Sequence, residues 1–254
     1  MWRDDKSFVT CEVDTLTAGV AEPGRKPAAP PRIPEYLTKH YSWAYVTPEA
    51  VKRFERPWII DLILWGNYAK LSGAVREALN GVRTRRVLQV ACAYGDFSPK
   101  LAQQIGERGG RLDVIDVLPV QLDNLRSKLA SESPVDLHQM DSGALGFADE
   151  SFDAVVLFLL LHEQPESWRR RTLAEAWRVT KRGGRIILVD YAKPAWWNPL
   201  RYVMAPVLTL LEPFAMDLWR RPIRDYMPPN TYGSLERVSA CGGLYQILTA
   251  QRDE

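Results

Sequence analysis

Cysteine is scarce in this 254-residue chain: Cys11, Cys92 and Cys241 are the three present, with no spacing that suits a disulfide framework or a metal. That scarcity favours a reducing compartment. Charge of one sign is lacking too. With 33 basic residues against 31 acidic ones, a net +2, composition gives no bulk signal for nucleic acid. Long hydrophobic runs are missing: the longest, Ala154 to Leu161, is strand-length, far short of the ~18 apolar residues of a transmembrane helix. No internal repeat is visible, and the first 33 residues, acidic and basic mixed before a proline-rich run, read as neither a secretory signal nor an Arg-rich transit segment. They are expected to form a disordered or extended arm.

What is present is an apolar fraction of 46%, enough for one sizeable α/β core. The organising stretch is Val87-Leu88-Gln89-Val90-Ala91-Cys92-Ala93-Tyr94-Gly95-Asp96-Phe97-Ser98. A short apolar strand feeds small residues and a turn, and Ser98-Pro99 reads as a helix cap with proline in the first turn. Strand, tight loop and helix together place a nucleotide-like ligand against backbone N–H groups. Ala91 and Ala93 stand where glycine is usual, and Gly95 remains.

From Arg85 strands and helices alternate: strands at 87–90, 111–115, 135–139, 153–160 and 185–190, with helices between. That alternation predicts an α/β, doubly wound, mostly parallel sheet. Leu235 to Arg252 reads as two strands hinged at Gly242-Gly243, giving a seven-stranded sheet with an antiparallel last strand. Ahead of the sheet, residues 34–80 form an N-terminal helical cap, in which one helix runs from Pro57 to about Leu79. Its first half, Trp58 to Trp65, is apolar on nearly every face, so it is buried or touches something greasy. The cluster Tyr41-Ser42-Trp43-Ala44-Tyr45 reads as core packing, and Trp168-Arg169-Arg170-Arg171 as an exposed helix face. The unit 81–254 is expected to be the main, sheet-bearing domain, carrying an apolar helical insertion at 195–228 in short pieces broken by Pro199, Pro206 and Pro213.

Three acids lie at or near strand ends. Asp116 follows Gly95 at the offset where a carboxylate grips ribose hydroxyls. Asp141, with Ser142 beside it, is placed to meet an adenine amino group. His162-Glu163 ends the fourth strand, where the switch-point rule puts a ligand crevice. Imidazole beside carboxylate suits proton transfer or a hard metal, although His162 equally fits a satisfied buried imidazole, and no His-x-x-x-His spacing is present.

Residues 87–98, Val114-Ile115-Asp116-Val117, Met140-Asp141-Ser142, Ser151-Phe152-Asp153 and Glu175-Ala176-Trp177-Arg178-Val179-Thr180-Lys181-Arg182-Gly183-Gly184 resemble the class I S-adenosylmethionine-dependent methyltransferases. Further blocks resemble a divergent branch, the rhodoquinone biosynthesis (RquA) family: Val51-Lys52-Arg53-Phe54-Glu55-Arg56, Leu62-Ile63-Leu64-Trp65-Gly66-Asn67, Leu160-Leu161-His162-Glu163-Gln164-Pro165, Trp196-Trp197-Asn198-Pro199-Leu200-Arg201-Tyr202 and Gly242-Gly243-Leu244-Tyr245-Gln246. The resemblance implies conversion of ubiquinone to rhodoquinone, a ring methoxy group giving way to an amino group donated by S-adenosylmethionine with Mn(II). It further implies a membrane surface as partner, at the cytoplasmic face of a bacterial inner membrane or the matrix side of the mitochondrial one. Cofactor-binding positions are then Gln89, Val90, Ala91, Ala93, Gly95, Asp116, Val117, Met140, Asp141 and Ser142. Candidate catalytic groups are Tyr94, Asp96, His162, Glu163 and Tyr191, and the metal pool is Asp96, Asp141, His162 and Glu163.

Gln89 stands where ordinary members carry the carboxylate that holds the cofactor's ammonium group. A carboxylate there keeps the amine charged, whereas a nucleophilic amine must be neutral, so Gln89 accords with amino transfer. The alternatives are a conventional methyltransferase of a quinone or lipid, and a catalytically inactive quinone-binding protein. For the lipid tail, Trp58 to Trp65 and the insertion, bordered by Arg201, Arg220 and Arg221, are the apolar, tryptophan-bearing segments suited to a membrane interface, or to a lid.

Overall fold

The computed structural model describes residues 31–229 and 232–253; Cys11 and all but the last three residues of the expected arm lie outside the described residues. The cap contains α1 (Glu35–His40), a turn of π-helix (Ser42–Val46), α2 (Pro48–Phe54), α3 (Pro57–Ile63) and α4 (Tyr68–Ala78). Thr47 caps α2 by accepting from the Ala50 amide, with Pro48 in the first turn. The single helix expected from Pro57 to Leu79 is two. Trp65 and Gly66 take φ of 53° and 70°, and two successive left-handed residues cannot continue a right-handed helix.

The sheet comprises β1 (Arg86–Val90), β2 (Arg111–Asp116), β3 (Val135–Gln139), β4 (Phe152–Phe158), β5 (Thr180–Tyr191), β6 (Tyr232–Ala240) and β7 (Tyr245–Arg252), in the order β3-β2-β1-β4-β5-β7-β6. The first five strands pair in parallel and β7 runs antiparallel between β5 and β6. Between them pack α5 (Phe97–Glu107), α6 (Pro119–Lys128) and α7 (Glu166–Val179). The Gly183-Gly184 turn lies inside β5, where pairing jumps from Thr180 to Arg185 and Gly183 takes a positive φ. It is a bulge rather than a strand start.

Alternation along β1 divides the core. Val87 packs with Leu101, Ile105 and α4 on one face, Leu88 and Val90 with Leu173 and Trp177 on the other. Order reverses between β1 and β4, so their carboxyl ends open the crevice where ligands of such sheets sit. Ser98 does not cap α5, since Asp96 holds the cap position without a side-chain bond. Ser98 is instead buried in the first turn.

The insertion forms α8 (Leu200–Leu211) and α9 (Ala215–Arg220). Contrary to expectation, α8 runs through Pro206, forgoing one helical bond, and breaks only at Glu212-Pro213. Met204, Leu208, Ala215, Leu218 and Trp219 are buried, so half of the segment is core. Arg169 also departs from the exposed-face reading. It is fully buried with Thr172, Leu173, Ala176 and Trp177 along one side of α7, and its guanidinium donates to the carbonyls of Leu161, Gln164 and Phe214. Arg170 and Arg171 are exposed as expected.

Candidate active site

Two cavities meet at the carboxyl ends of β1 and β4. The smaller, about 70 Å³, is walled by Ala91, Cys92, Asp116, Val117, Met140, Asp141 and Ser142, and covered by Tyr36, Leu37 and Tyr45 of the cap. Six of the ten sequence-predicted cofactor residues therefore share one crevice. Asp116 is buried beneath it, accepting from the Cys92 amide through Oδ2 and the Leu118 amide through Oδ1. Burial pushes its carboxyl up to about 6, against those two amides. Asp141 Oδ1 accepts from the Gly143 amide, and the Ser142 hydroxyl pairs with Thr172 and Gln164.

The remaining four lie elsewhere. Ala93 lines the larger cavity, while Gln89, Val90 and Gly95 line neither. Gln89 is fully buried on the α5 face, its Nε2 donating to the Ala91 carbonyl at 2.9 Å and the Ser98 hydroxyl at 2.8 Å. It shapes the loop from beneath. Ala91, where glycine is usual, takes a φ of 69°, a conformation that strains any residue with a Cβ. Gly95, at φ 77°, has no room for one, because a Cβ would stand 2.7 Å from the Tyr68 hydroxyl. Its amide donates to Glu55 Oε1, which Lys128 also pairs at 2.9 Å. The cap thus locks the far side of the loop.

The larger cavity, about 420 Å³, lies between the cap and α8. Its wall is mostly apolar: Ile60, Leu64, Phe158, Met204 and Leu208 inside, with Trp43, Leu62, Trp65, Val207 and Leu211 towards the surface. Polar groups converge at one part of it. His162 and Glu163 occupy a 3-10 turn, Leu161–Glu163, fixed by Asp190 at the end of β5. Asp190 Oδ2 accepts from the Leu161 and His162 amides, and Oδ1 binds His162 Nδ1 at 2.9 Å. A carboxylate on Nδ1 makes that nitrogen the donor and leaves Nε2 free, 3.8 Å from Glu163 Oε1.

Burial opposes the charge on His162, but Asp190, with Glu212 and Glu163, outweighs it and lifts the imidazole to about 9. Burial drives the Glu163 carboxyl upward, as it does that of Glu212, with His162 opposing both. Tyr191 lies edge-on to the imidazole at 4.8 Å and stacks on Tyr245. The Tyr94 hydroxyl is committed, donating to the Ala44 carbonyl at 2.6 Å and accepting from Gln121. Of the five candidate catalytic residues, Tyr94, His162, Glu163 and Tyr191 line this cavity. Asp96 does not: it is exposed and held by Lys100 and Tyr68.

The metal pool is likewise dispersed. Asp96 lies outside both cavities, Asp141 lines the smaller one, and only His162 and Glu163 are neighbours. Among the described residues no group of three or more His, Cys, Asp or Glu is placed to hold a metal. The donor set does not fit Mn(II).

Several residues escaped the sequence reading. Tyr45 lines both cavities and stacks on Tyr94 at 5.7 Å, so the aromatic cluster of the cap is part of the site. Asp190 was detectable as a further acid at a strand end. Glu212 gave a fainter signal, a lone acid closing the apolar run Met204 to Leu211.

Residues 87–184 match the family model described as a methyltransferase domain. Phosphatidylethanolamine N-methyltransferase of Cereibacter sphaeroides is 30% identical over 146 residues, 56% of this chain and 68% of that protein. The chain belongs to the methyltransferase-domain family. Another member, the ubiquinone/menaquinone biosynthesis C-methyltransferase UbiE of Pectobacterium carotovorum, is 30% identical over 137 residues. That match spans about half of each protein, 53% of this chain and 53% of the relative. Human N-acetylserotonin methyltransferase shares the fold, with a TM-score of 0.60 at 13% identity over 87% of this chain and 63% of that one. The methyltransferase-type sheet expected from sequence is thus the observed one.

Proposed function

We propose that this protein uses S-adenosylmethionine to modify the ring of a lipid quinone. The observation that carries the reading is the junction of the two cavities: Tyr45, Cys92, Gln121, Phe158, Leu159 and Glu163 wall both. One side offers carboxylates at strand ends for a nucleoside. The other is an apolar chamber within the ~300–1,000 Å³ range of small-molecule sites. A relative named as a ubiquinone/menaquinone C-methyltransferase supports a quinone as the acceptor.

S-adenosylmethionine supplies the group that is transferred. Asp116 accepts the ribose hydroxyls, and Asp141 meets the adenine amino group. His162, charged and oriented by Asp190, presents Nε2–H to a ring oxygen and stabilises negative charge developing there. Glu163, facing both chambers, holds or moves the proton exchanged as the ring is attacked. Tyr45 and Leu159 line both chambers where they meet.

Within this reading we favour exchange of a ring methoxy for an amino group, ubiquinone becoming rhodoquinone. The resemblance of residues 51–56, 62–67, 160–165 and 196–202 carries this choice; Gln89 does not bear on it, since its side chain is committed to the Ala91 carbonyl and the Ser98 hydroxyl and lines neither cavity. Ring C-methylation is the second reading, favoured by the relatives. A membrane is the source of substrate. Leu62, Trp65, Val207 and Leu211 are exposed on the wall of the larger chamber, and Trp58 of α3 with Trp196, Trp197, Tyr202 and Leu210 of the insertion are further exposed apolar side chains of the same two segments, Leu210 at 81%. Exposed Lys52, Arg53 and Arg56 precede α3, a pairing of apolar and basic residues suited to a lipid interface.

Incubation of the purified protein with ubiquinone and cofactor labelled at the amine nitrogen, with products identified by mass, tests this. Label in an aminoquinone supports the favoured reading, and a methyl gain selects the second. An unchanged quinone overturns both.

A further inference from the structure

We propose that Glu163 is the carboxylate that receives the α-ammonium group of the cofactor, at the junction of the two cavities. The inference rests on the S-adenosylmethionine reading above and deepens it by naming the residue that grips the amino-acid end. That end carries a cation, and a cation taken out of water needs an anion beside it. Gln89 does not supply one. It is neutral, lines neither cavity, and spends its Nε2 on the Ala91 carbonyl and the Ser98 hydroxyl.

Among the described residues four carboxyls line the cavities: Asp116, Asp141, Glu163 and Glu212. Asp116 is held at both oxygens by the Cys92 and Leu118 amides, and Asp141 accepts from the Gly143 amide. Glu212 lines the larger cavity alone, with its Oε2 sealed from solvent. Glu163 is the one that lines both, and 11% of its side chain stays accessible. Its neighbours are side chains, His162 Nε2 at 3.8 Å and Tyr45.

Sheet order gives the position its meaning. Asp141 follows β3, Asp116 ends β2, the Ala91-Cys92 loop leaves β1 and Glu163 lies after β4, while the strands run β3-β2-β1-β4. The acids therefore stand in a row along the carboxyl edge, one strand spacing of about 4.8 Å after another. Glu163, Asp141 and Asp116 all act on the Tyr36 hydroxyl, so they surround one crevice. A ligand with adenine at Asp141 and ribose at Asp116 sends its amino-acid arm past the loop towards Glu163. Charge fits as well: Glu163, Glu212 and Asp190 share the single base His162. Burial holds the Glu163 proton on, and an ammonium beside it draws the group back to carboxylate.

The test is isothermal titration of the full-length protein with S-adenosylhomocysteine, with its analogue lacking the α-amino group, and with 5′-methylthioadenosine, which has no amino-acid arm. Wild type is expected to bind S-adenosylhomocysteine roughly tenfold or more tighter than the deaminated analogue. Glu163→Gln loses that preference to within about twofold while its affinity for methylthioadenosine holds, a separation that a merely structural defect does not produce. Should glutamine weaken methylthioadenosine binding too, Glu163→Met is read in the same way. A variant that keeps the full preference, or wild-type protein without one, overturns the assignment while the cofactor reading stands. Wild-type protein that binds none of the three ligands overturns both.

Discussion

Asp116 and Ala91 show how single residues set the smaller cavity. Asp116 is buried, so its proton is held up to about 6, and the diol contact proposed for it requires the ionised form. A proton therefore competes with the ligand. Affinity for S-adenosylhomocysteine is expected to be level above about pH 6 and to fall about tenfold per unit below it. Titrations across that range check this, and an Asp116→Asn variant should bind weakly throughout without the inflection. Ala91 bears a Cβ at φ 69°, which costs roughly 1–2 kcal/mol relative to relaxed backbone. Ala91→Gly relieves that strain but gives the unfolded chain more freedom. A net gain of about 0.5–1 kcal/mol is expected from the denaturant midpoint. Leu159, at φ 54° on the wall of both cavities, is a second strained position, in keeping with strain stored at functional sites.

At the scale of elements, the decisive contact joins α7, the 3-10 turn and the insertion. Arg169 supplies three hydrogen bonds to carbonyls from those segments and lies over the Tyr226 ring at 4.7 Å. Arg169→Ala leaves the carbonyls of Leu161, Gln164 and Phe214 without that donor, and a loss of about 3 kcal/mol is expected in urea unfolding. Arg170→Ala, one residue on but at the surface, should cost under about 0.5 kcal/mol. Sequence could not separate the two. In a run of three arginines the one facing inward is identified by its helical phase with Thr172, Leu173 and Ala176, and that phase is meaningful only once the side of α7 against the sheet is known. The same limit applies to Trp58–Trp65. Apolar residues on every face signal burial or a greasy contact, and the left-handed turn at Trp65-Gly66 decides which of them remain exposed.

For the whole molecule, exposed apolar residues far apart in sequence, Leu62 and Trp65 from the cap and Val207 and Leu211 from the insertion, line one cavity, and Trp196 and Leu210 extend the exposed apolar surface of the insertion. Trp196→Ser with Leu210→Ser removes exposed side chains that pack on nothing in the core. Flotation with liposomes containing anionic lipid is expected to fall roughly tenfold or more while the melting temperature holds. Loss of folding, or unchanged flotation, would count against this face as the membrane contact. Deleting the insertion is a poorer test, because Met204, Leu208 and Trp219 are core residues and Glu212 belongs to the site.

Strand order came from the structure, but sequence by itself determined the mostly parallel seven-stranded sheet, the antiparallel return at Gly242-Gly243, and the strand-end acids Asp116 and Asp141. These follow from local periodicity and turn chemistry, which act over a few residues. Only the tertiary structure decided that Gln89 braces the loop from below, that Asp96 stands apart from His162, and that Tyr45, Asp190 and Glu212 complete the cavity. Those outcomes depend on which way a side chain points and on what crosses from distant segments to meet it. Burial and charge coupling are properties of that assembled environment, so no stretch of the chain encodes them alone.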